Sequence, residues 1–385
     1  MMTPKPTYLD YNATTPCAPE VLAAMATFFT DEFANASSTH LLGRKAARAI
    51  SEARTQVASC IGAEPGEVLF TSGATESNNL VLLGDLRRRN GRRRIVVSAI
   101  EHKSVLEPSQ WLNSQGYDIE RLPVTPNGVV DLNAAEELIN EDTLLVCVQG
   151  ANNEIGTIQP VRAVAEIAHR RGALIHCDAT QMLSKVAVSV SDMCVDTAAF
   201  SAHKAYGPKG IGVLFVRNFV RDWLTPVYRG GGQESEIRPG TLNVPGIVGF
   251  GVASRIAVER LEKDRARVSA LRDSFEAGIL RRCPYAYGIG SSAERLPNTS
   301  NICFRTISAD VLLTRLPLLC AGLGSACSSG SLTPSHVLLA CGVTREEARS
   351  AIRFSLGRYT TEDDILGTIE QIAEVVGNIV RGEGA

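Results

Sequence analysis

From about Glu20 to Arg217 the chain alternates between two apolar textures. Glu20–Phe33, Leu42–Ile61, Ala74–Arg89, Ser104–Gln115, Leu132–Ile139 and Val161–Arg171 carry Val, Leu, Ile and Ala at helical spacing. Between and after them lie short runs that are largely apolar: Val68–Thr71, Ile95–Ala99, Asp118–Val124, Thr143–Gln149, Ala173–Cys177, Thr197–Phe200 and Ile211–Val216. Strands that read this way are buried on both faces. The pattern predicts an α/β fold whose large domain holds a mostly parallel seven-stranded sheet covered by helices on both sides.

The texture changes after Arg217. Tyr228–Pro239 (YRGGGQESEIRP) is glycine-rich and polar, a predicted loop, and Thr241–Ala253 turns apolar again. Ala257–Arg281 is a long charged helix of the kind that bridges two domains. The remainder reads as a smaller α+β unit in which strand-like Thr299–Phe304 and Ser350–Ser355 flank a long irregular stretch. The expected division is a large domain over residues 18–256, and a small domain built from 1–17 together with 257–385.

Polar clusters follow the predicted strands: Gly73–Glu76, Glu101-His102, Asn152–Glu154, Asp178 with Gln181, and Ser201–Lys204. Ligands of such sheets collect at the carboxyl ends of the strands, so these clusters are expected to line one composite pocket.

Composition narrows the function classes. With 385 residues, 44% of them hydrophobic, and a formal net charge of −2, the chain can bury a large core and shows no footprint for nucleic acid or a membrane surface. The basic residues Arg87–Arg89 and Arg92–Arg94 flank Asn90-Gly91 and read as a solvated helix end and turn. No apolar run reaches the roughly 20 residues of a membrane span. The first residues lack an apolar signal core, so the expectation is a cytoplasmic protein. Its ten cysteines are scattered, and most, such as Cys147 and Cys177, are expected to be small core hydrophobes.

The candidate chemistry centres on Lys204, at the exit of a buried strand. Burial disfavours an ammonium group, and a neutral amine is a nucleophile toward carbonyls. An ordinary surface lysine is the alternative for a residue taken alone. The neighbouring clusters supply what a phosphorylated pyridinium cofactor needs. Ser72–Thr75 opens a helix with backbone N–H groups and small hydroxyls for a phosphate. Asp178 can hold the proton on a ring nitrogen, Gln181 can reach a ring hydroxyl, and His102 can stack on the ring. A turn-forming Asp178 and a structural His102 remain open as alternatives.

Together the motifs GATESNN (73–79), EHKSV (101–105), NNEIGTIQP (152–160), HCDATQ (176–181), SAHKAYGPKGIG (201–212), RPGTLNV (238–244), GSACSSGSLTPSHVL (324–338) and RFSLGRYTTEDDI (353–365) resemble the NifS-type cysteine desulfurases of the class-V aminotransferase fold. The likeness runs from Tyr8 to about Gly377, with the motifs in the family's order.

It implies a pyridoxal-phosphate enzyme of fold type I that converts L-cysteine to L-alanine. Lys204 would hold the cofactor covalently, Asp178 would pair with its ring nitrogen, Gln181 with its phenolic oxygen, and His102 would stack on it. Ala74, Thr75, Ser201 and His203 would bind the phosphate, with Thr241 arriving from the partner subunit of a homodimer. Asn153, beside the cofactor, and Arg353 would grip the substrate carboxylate. Cys327, set among glycines and small residues, would take the sulfur as a persulfide for an acceptor protein. His102 would also carry a proton for the substrate thiol.

Two features depart from the housekeeping members. The approach to Cys327, Asp310–Gly324, is more apolar and contains Pro317, and the tail ends without the extension those members use to dock an iron–sulfur scaffold. The stretch Asn35–Leu42 (NASSTHLL) is similar to the desulfurase of bacterial DNA phosphorothioation, which leaves two sulfur destinations open. The rival readings are a selenocysteine lyase or an aminotransferase on the same scaffold, a scaffold that keeps the cofactor only structurally, and a zinc protein using His169, His176, Cys177 and other cysteines.

Overall fold

The computed structural model describes residues 5–84, 91–323 and 334–382. In the first third, β1 (Thr7–Tyr8) is followed by α1 (Pro19–Thr30), α2 (Leu41–Ile61), β2 (Val68–Thr71) and α3 (Ala74–Leu83). Then come β3 (Arg94–Ser98), α4 (Lys103–Ser114), β4 (Asp118–Leu122), α5 (Leu132–Leu138), β5 (Thr143–Cys147) and α6 (Val161–Arg170). The sheet is completed by β6 (Leu174–Asp178), β7 (Thr197–Ser201) and β8 (Gly212–Val216), after which α7 (Val244–Arg282) leaves it. The rest is β9 (Ala286–Ile289), β10 (Thr299–Phe304), α8 (Ala309–Thr314), β11 (Leu319–Cys320), α9 (His336–Ala340), α10 (Arg345–Arg349), β12 (Ala351–Ser355) and α11 (Glu362–Arg381).

The seven strands that sequence patterning located form one sheet in the order β2-β8-β7-β6-β5-β3-β4. Only β8 runs against its neighbours; the other pairings are parallel. Successive side chains face opposite ways, so Phe70, Val146 and Val213 join one buried cluster while Leu69, Leu145 and Leu214 join another on the far face. Two apolar faces explain the nearly continuous apolar runs.

The smaller unit holds the antiparallel sheet β12-β10-β9 and the parallel pair β1-β11, around a core that includes Leu9, Phe275, Ile302, Phe304, Phe354 and Ile369. The N-terminal segment touches both units. Tyr8 registers with Cys320, whereas the amides of Thr15 and Ala18 donate to the carbonyls of His203 and Tyr206.

Two local expectations are corrected. The apolar stretch from Thr241 and the charged helix from Ala257 are one helix of 39 residues, capped by Asn243. Glycine costs a helix about 1 kcal/mol per residue, which is why GIVGFG does not read as helical. Packing overrides that preference: a Cβ on Gly251 would lie 2.7 Å from the Cα of Ala53, so the bare backbone is what lets α7 cross α2 closely. Arg93 is exposed as expected, but Arg92 is only half-exposed. Its guanidinium donates to the carbonyls of Thr143, Arg171 and Gly172, capping the end of α6, and Arg94 pairs with Asp118 at 2.7 Å. Arg87–Arg89 lie outside the described residues. Among the described residues no helix is long and apolar enough to cross a membrane.

Candidate active site

A cavity of about 940 Å³ opens where the strands end. The predicted clusters after β2, β3, β5, β6 and β7 all contribute to its wall. Of the residues singled out from sequence, Ala74, Thr75, His102, Asn153, Asp178, Gln181, Ser201, His203, Lys204 and Arg353 line it. Thr241 does not; it is exposed on the loop before α7. Cys327 falls within 324–333, outside the described residues, but both flanks of that segment, Gly322-Leu323 and His336, meet the cavity wall.

Lys204 follows β7 in a short 3-10 turn, and its Nζ donates to the carbonyls of Asn12 at 2.6 Å and Ala13 at 2.8 Å. Burial, then the charge of Arg353, lowers its pKa to about 8. A substantial share of this amine is therefore neutral near physiological pH.

Asp178 ends β6. Its Oδ2 accepts from Asn78 Nδ2 at 2.9 Å and its Oδ1 from the Thr180 amide at 3.1 Å, leaving an acceptor-only carboxylate on the cavity wall. Gln181 donates from Nε2 to the Asn12 carbonyl at 3.0 Å, and its Oε1 accepts from the buried Lys185 at 2.6 Å. Burial, with help from Lys204 and Arg353, holds the Lys185 amine well below the usual lysine range.

His102 caps α4: its Nδ1 accepts from the Ser104 amide at 3.1 Å. A neutral ring that accepts at Nδ1 carries its proton on Nε2. Burial comes first, then the charges of Lys204 and His336, in lowering its pKa, so the neutral form dominates.

The first turn of α3 forms the anion end. Gly73 precedes the helix, and β8 approaches so closely that a Cβ on Gly212 would sit 2.5 Å from Gly73 Cα. Free amides at that turn, the hydroxyls of Thr75 and Ser201 and the nearby Lys209 make a donor set suited to phosphate. His203, bonded to Thr14 Oγ1 at 3.1 Å, is pushed down to about 4 by burial and the Lys204 charge, and contributes as a neutral ring.

At the other end Arg353, on β12, pairs with Asp10 at 2.6 Å and donates to the Asn153 carbonyl at 3.1 Å. Its Nε is buried with no hydrogen-bond partner among the described residues, an open donor of the kind a ligand carboxylate takes. Gly322 is locked to the same residue: amide and carbonyl exchange bonds with the Arg353 backbone at 3.0 and 2.8 Å. Past residue 333, Ser335 donates to Glu154 at 2.6 Å and His336 donates to the Glu101 carbonyl at 2.9 Å.

Asn78, His176, Ser104, Lys185 and Asp10 are the members sequence reading did not place in the site. Asn78, Ser104 and His176 stand inside motifs already singled out, so a signal was present; Lys185 stands four residues beyond Gln181, in a turn. The proposed zinc ligands are otherwise engaged. His169 bonds Asp196 at 3.0 Å, and His176 bonds Asn78 and Thr197 at 2.9 Å each.

The arrangement fits pyridoxal phosphate. It offers a helix N-terminus for the phosphate, a carboxylate for the ring nitrogen, an amide for the phenolic oxygen and a partly neutral lysine for the aldehyde. The family model for class-V aminotransferases matches residues 7–367, and the chain belongs to that family, whose members use this cofactor. Within it the chain groups with the cysteine desulfurases. One such enzyme from Archaeoglobus fulgidus is 44% identical over 373 residues, 96% of each chain. A solved NifS-like protein superposes with a TM-score of 0.89 at 37% identity, covering 97% of this chain and 99% of its own. DndA from Streptomyces lividans superposes at 0.77 with 38% identity, covering 91% and 99%.

Proposed function

We propose that this site performs the desulfurase reaction, releasing L-alanine from L-cysteine and passing the sulfur to Cys327. The observation that carries the reading is the meeting of a lysine near pKa 8, an acceptor-only carboxylate and an open arginine donor in one cavity. Bound pyridoxal phosphate supplies the electron sink that makes the bonds at the substrate's Cα and Cβ labile. Arg353 and Asn153 hold the substrate carboxylate. Lys204, once freed from the cofactor, moves the Cα proton. The Cys327 thiolate then attacks the substrate sulfur: an S–S bond forms, the Cβ–S bond breaks with its electron pair left on carbon, and protonation there yields the methyl group of alanine.

The division into a large domain over 18–256 and a small domain that carries Cys327 belongs to this proposal, as does a homodimer that delivers Thr241 to its neighbour's phosphate. The terminal sulfur goes to an acceptor protein, for iron–sulfur cluster assembly or for DNA phosphorothioation. With a net charge of −2, direct contact with nucleic acid is not expected. A cytoplasmic home accords with the nine described cysteines all being free thiols.

The test compares wild type with Cys327→Ser for the visible absorbance of bound cofactor and for sulfide and alanine release. Wild type should show the band and release both products. Cys327→Ser should keep the band and lose at least 100-fold in turnover. Full activity in that variant would overturn the role of Cys327, and favour a selenocysteine lyase or aminotransferase that needs no such thiol.

A further inference from the structure

Behind the cavity wall lies a buried polar chain that the proposed reaction does not use. The His176 ring bonds Thr197 Oγ1 through Nδ1 and Asn78 Oδ1 through Nε2, at 2.9 Å each. Asn78 Nδ2 spends its two hydrogens on Asp178 Oδ2 at 2.9 Å and Ser104 Oγ at 2.8 Å. Ser104 Oγ lies 2.8 Å from His102 Nδ1. Asn78 and His176 are wholly buried, with Thr197 and Ser104 nearly so, and therefore no water can substitute for a missing partner at low cost.

Hydrogen-bond chemistry gives this chain a direction. Asp178 as a carboxylate only accepts, so the Asn78 amide must turn its nitrogen toward it. Asn78 then shows His176 a carbonyl oxygen, which requires the proton on His176 Nε2. His176 Nδ1, left as an acceptor, takes the Thr197 hydroxyl. On the other branch Ser104 Oγ accepts from Asn78, and its own proton goes to His102 Nδ1. The reverse arrangement would point the Asn78 oxygen at Asp178 and requires a protonated carboxyl there.

We propose that Asn78, backed by His176 and Thr197, is a positioning residue that turns its N–H donors to Asp178 and holds His176 in the tautomer protonated at Nε2. This rests on the reading of Asp178 as the group that faces the cofactor ring. His102 is set separately, because its Nδ1 already accepts from the Ser104 amide.

The titratable groups that bear on Asp178 are Glu101 and His102 beyond β3, His176 and Cys177 on β6, and Lys204 beyond β7. Burial holds His176 down at about 4, so it stays neutral across the working range and cannot reverse the chain.

Labelling the six histidines with 15N in cofactor-free protein reads the tautomers directly, with a His176→Gln spectrum to assign the key signal. His176 should be protonated at Nε2 and bare at Nδ1; protonation at Nδ1 overturns the proposal. Thr197→Val keeps a strand-favouring shape and removes the hydroxyl. It should convert His176 partly to the other tautomer. In the loaded enzyme it should move the acid-side loss of the visible cofactor band upward by about one pH unit, because the His176 tautomer change turns the Asn78 amide and takes its N–H donor from Asp178. Asn78→Leu should do the same and weaken pyridoxal-phosphate binding about tenfold. A purely structural role would lower the melting temperature and leave tautomers and acid limb in place, which overturns the proposal; Thr197→Val decides it even where Asn78→Leu does not fold. Wild type that takes up no pyridoxal phosphate sinks the functional reading instead, and the nitrogen shifts still decide this one.

Discussion

Lys204 and Lys185 show how the same residue type acquires different chemistry from its surroundings. Lys185 is buried and Lys204 half-buried, both with lowered pKa values, but Lys204 has two carbonyl partners on the cavity wall and Lys185 has one, the Gln181 side chain. The neutral amine is the form that reacts with the cofactor aldehyde. The rate of pyridoxal-phosphate uptake by cofactor-free protein should therefore rise with pH and level off above about 8, followed as growth of the visible band. Lys204→Ala should abolish the covalent uptake. Lys185→Met should fold with an unchanged or higher melting temperature, since an apolar side chain of similar volume removes a buried, thinly partnered amine. Lys204 was legible in the sequence because a polar cluster follows an apolar strand. Asp10 as partner of Arg353 was not, because 343 residues separate them and neither periodicity nor motif links the two.

At the scale of elements, the loop between β8 and α7 is held by a buried carboxylate. Glu234 forms a bidentate pair with Arg54 of α2, at 2.6 and 2.9 Å, and accepts from the Phe70 amide at 2.8 Å. The anchor enforces an unusual backbone: Glu234, Ser235 and Glu236 have φ values of 46°, 57° and 64°, in the left-handed region that favours glycine. Glu236 is exposed and carries the strain with no compensating contact among the described residues. Glu236→Gly should raise stability by about 1 kcal/mol, measured by thermal melting, with activity retained. The same segment was readable as a loop from its glycines. Its left-handed run was not, since Glu-Ser-Glu has no local preference for that conformation and only the Arg54 and Phe70 contacts impose it.

At the scale of the molecule, α7 joins the two cores. Its first half buries Ile247 and Phe250 beside the large sheet, and its second half buries Phe275 and Ile279 in the smaller unit. Between them Asp264 pairs with Arg358 at 2.7 Å, both nearly buried; the Arg358 guanidinium lies 4.1 Å from the Tyr206 ring centroid, and its amide donates to the Tyr206 hydroxyl at 2.6 Å. Tyr206 follows Lys204 by two residues, so this junction ties the reactive strand exit to the far end of the chain. Arg358→Met should destabilise by about 3 kcal/mol in denaturant unfolding, because it leaves Asp264 buried with only a longer contact to Arg260. Asp264→Asn combined with Arg358→Met should cost less than the sum of the single changes.

The sequence by itself determined the sheet, its strands and the five polar exits, because burial on two faces and the carboxyl-end rule act locally along the chain. It also determined the family, through motifs that stand in register. The tertiary structure alone decided which of those polar groups touch. Asn78, Ser104, His102, His176 and Asp178 come from two helices, the cap of one of them and one strand, and their hydrogen bonds depend on distances across the fold. It likewise decided that a glycine-rich stretch is the first half of a 39-residue helix, where close packing on α2 outweighs what each glycine costs. Periodicity records which face of an element is buried; which side chains meet across that face is settled only when the elements pack.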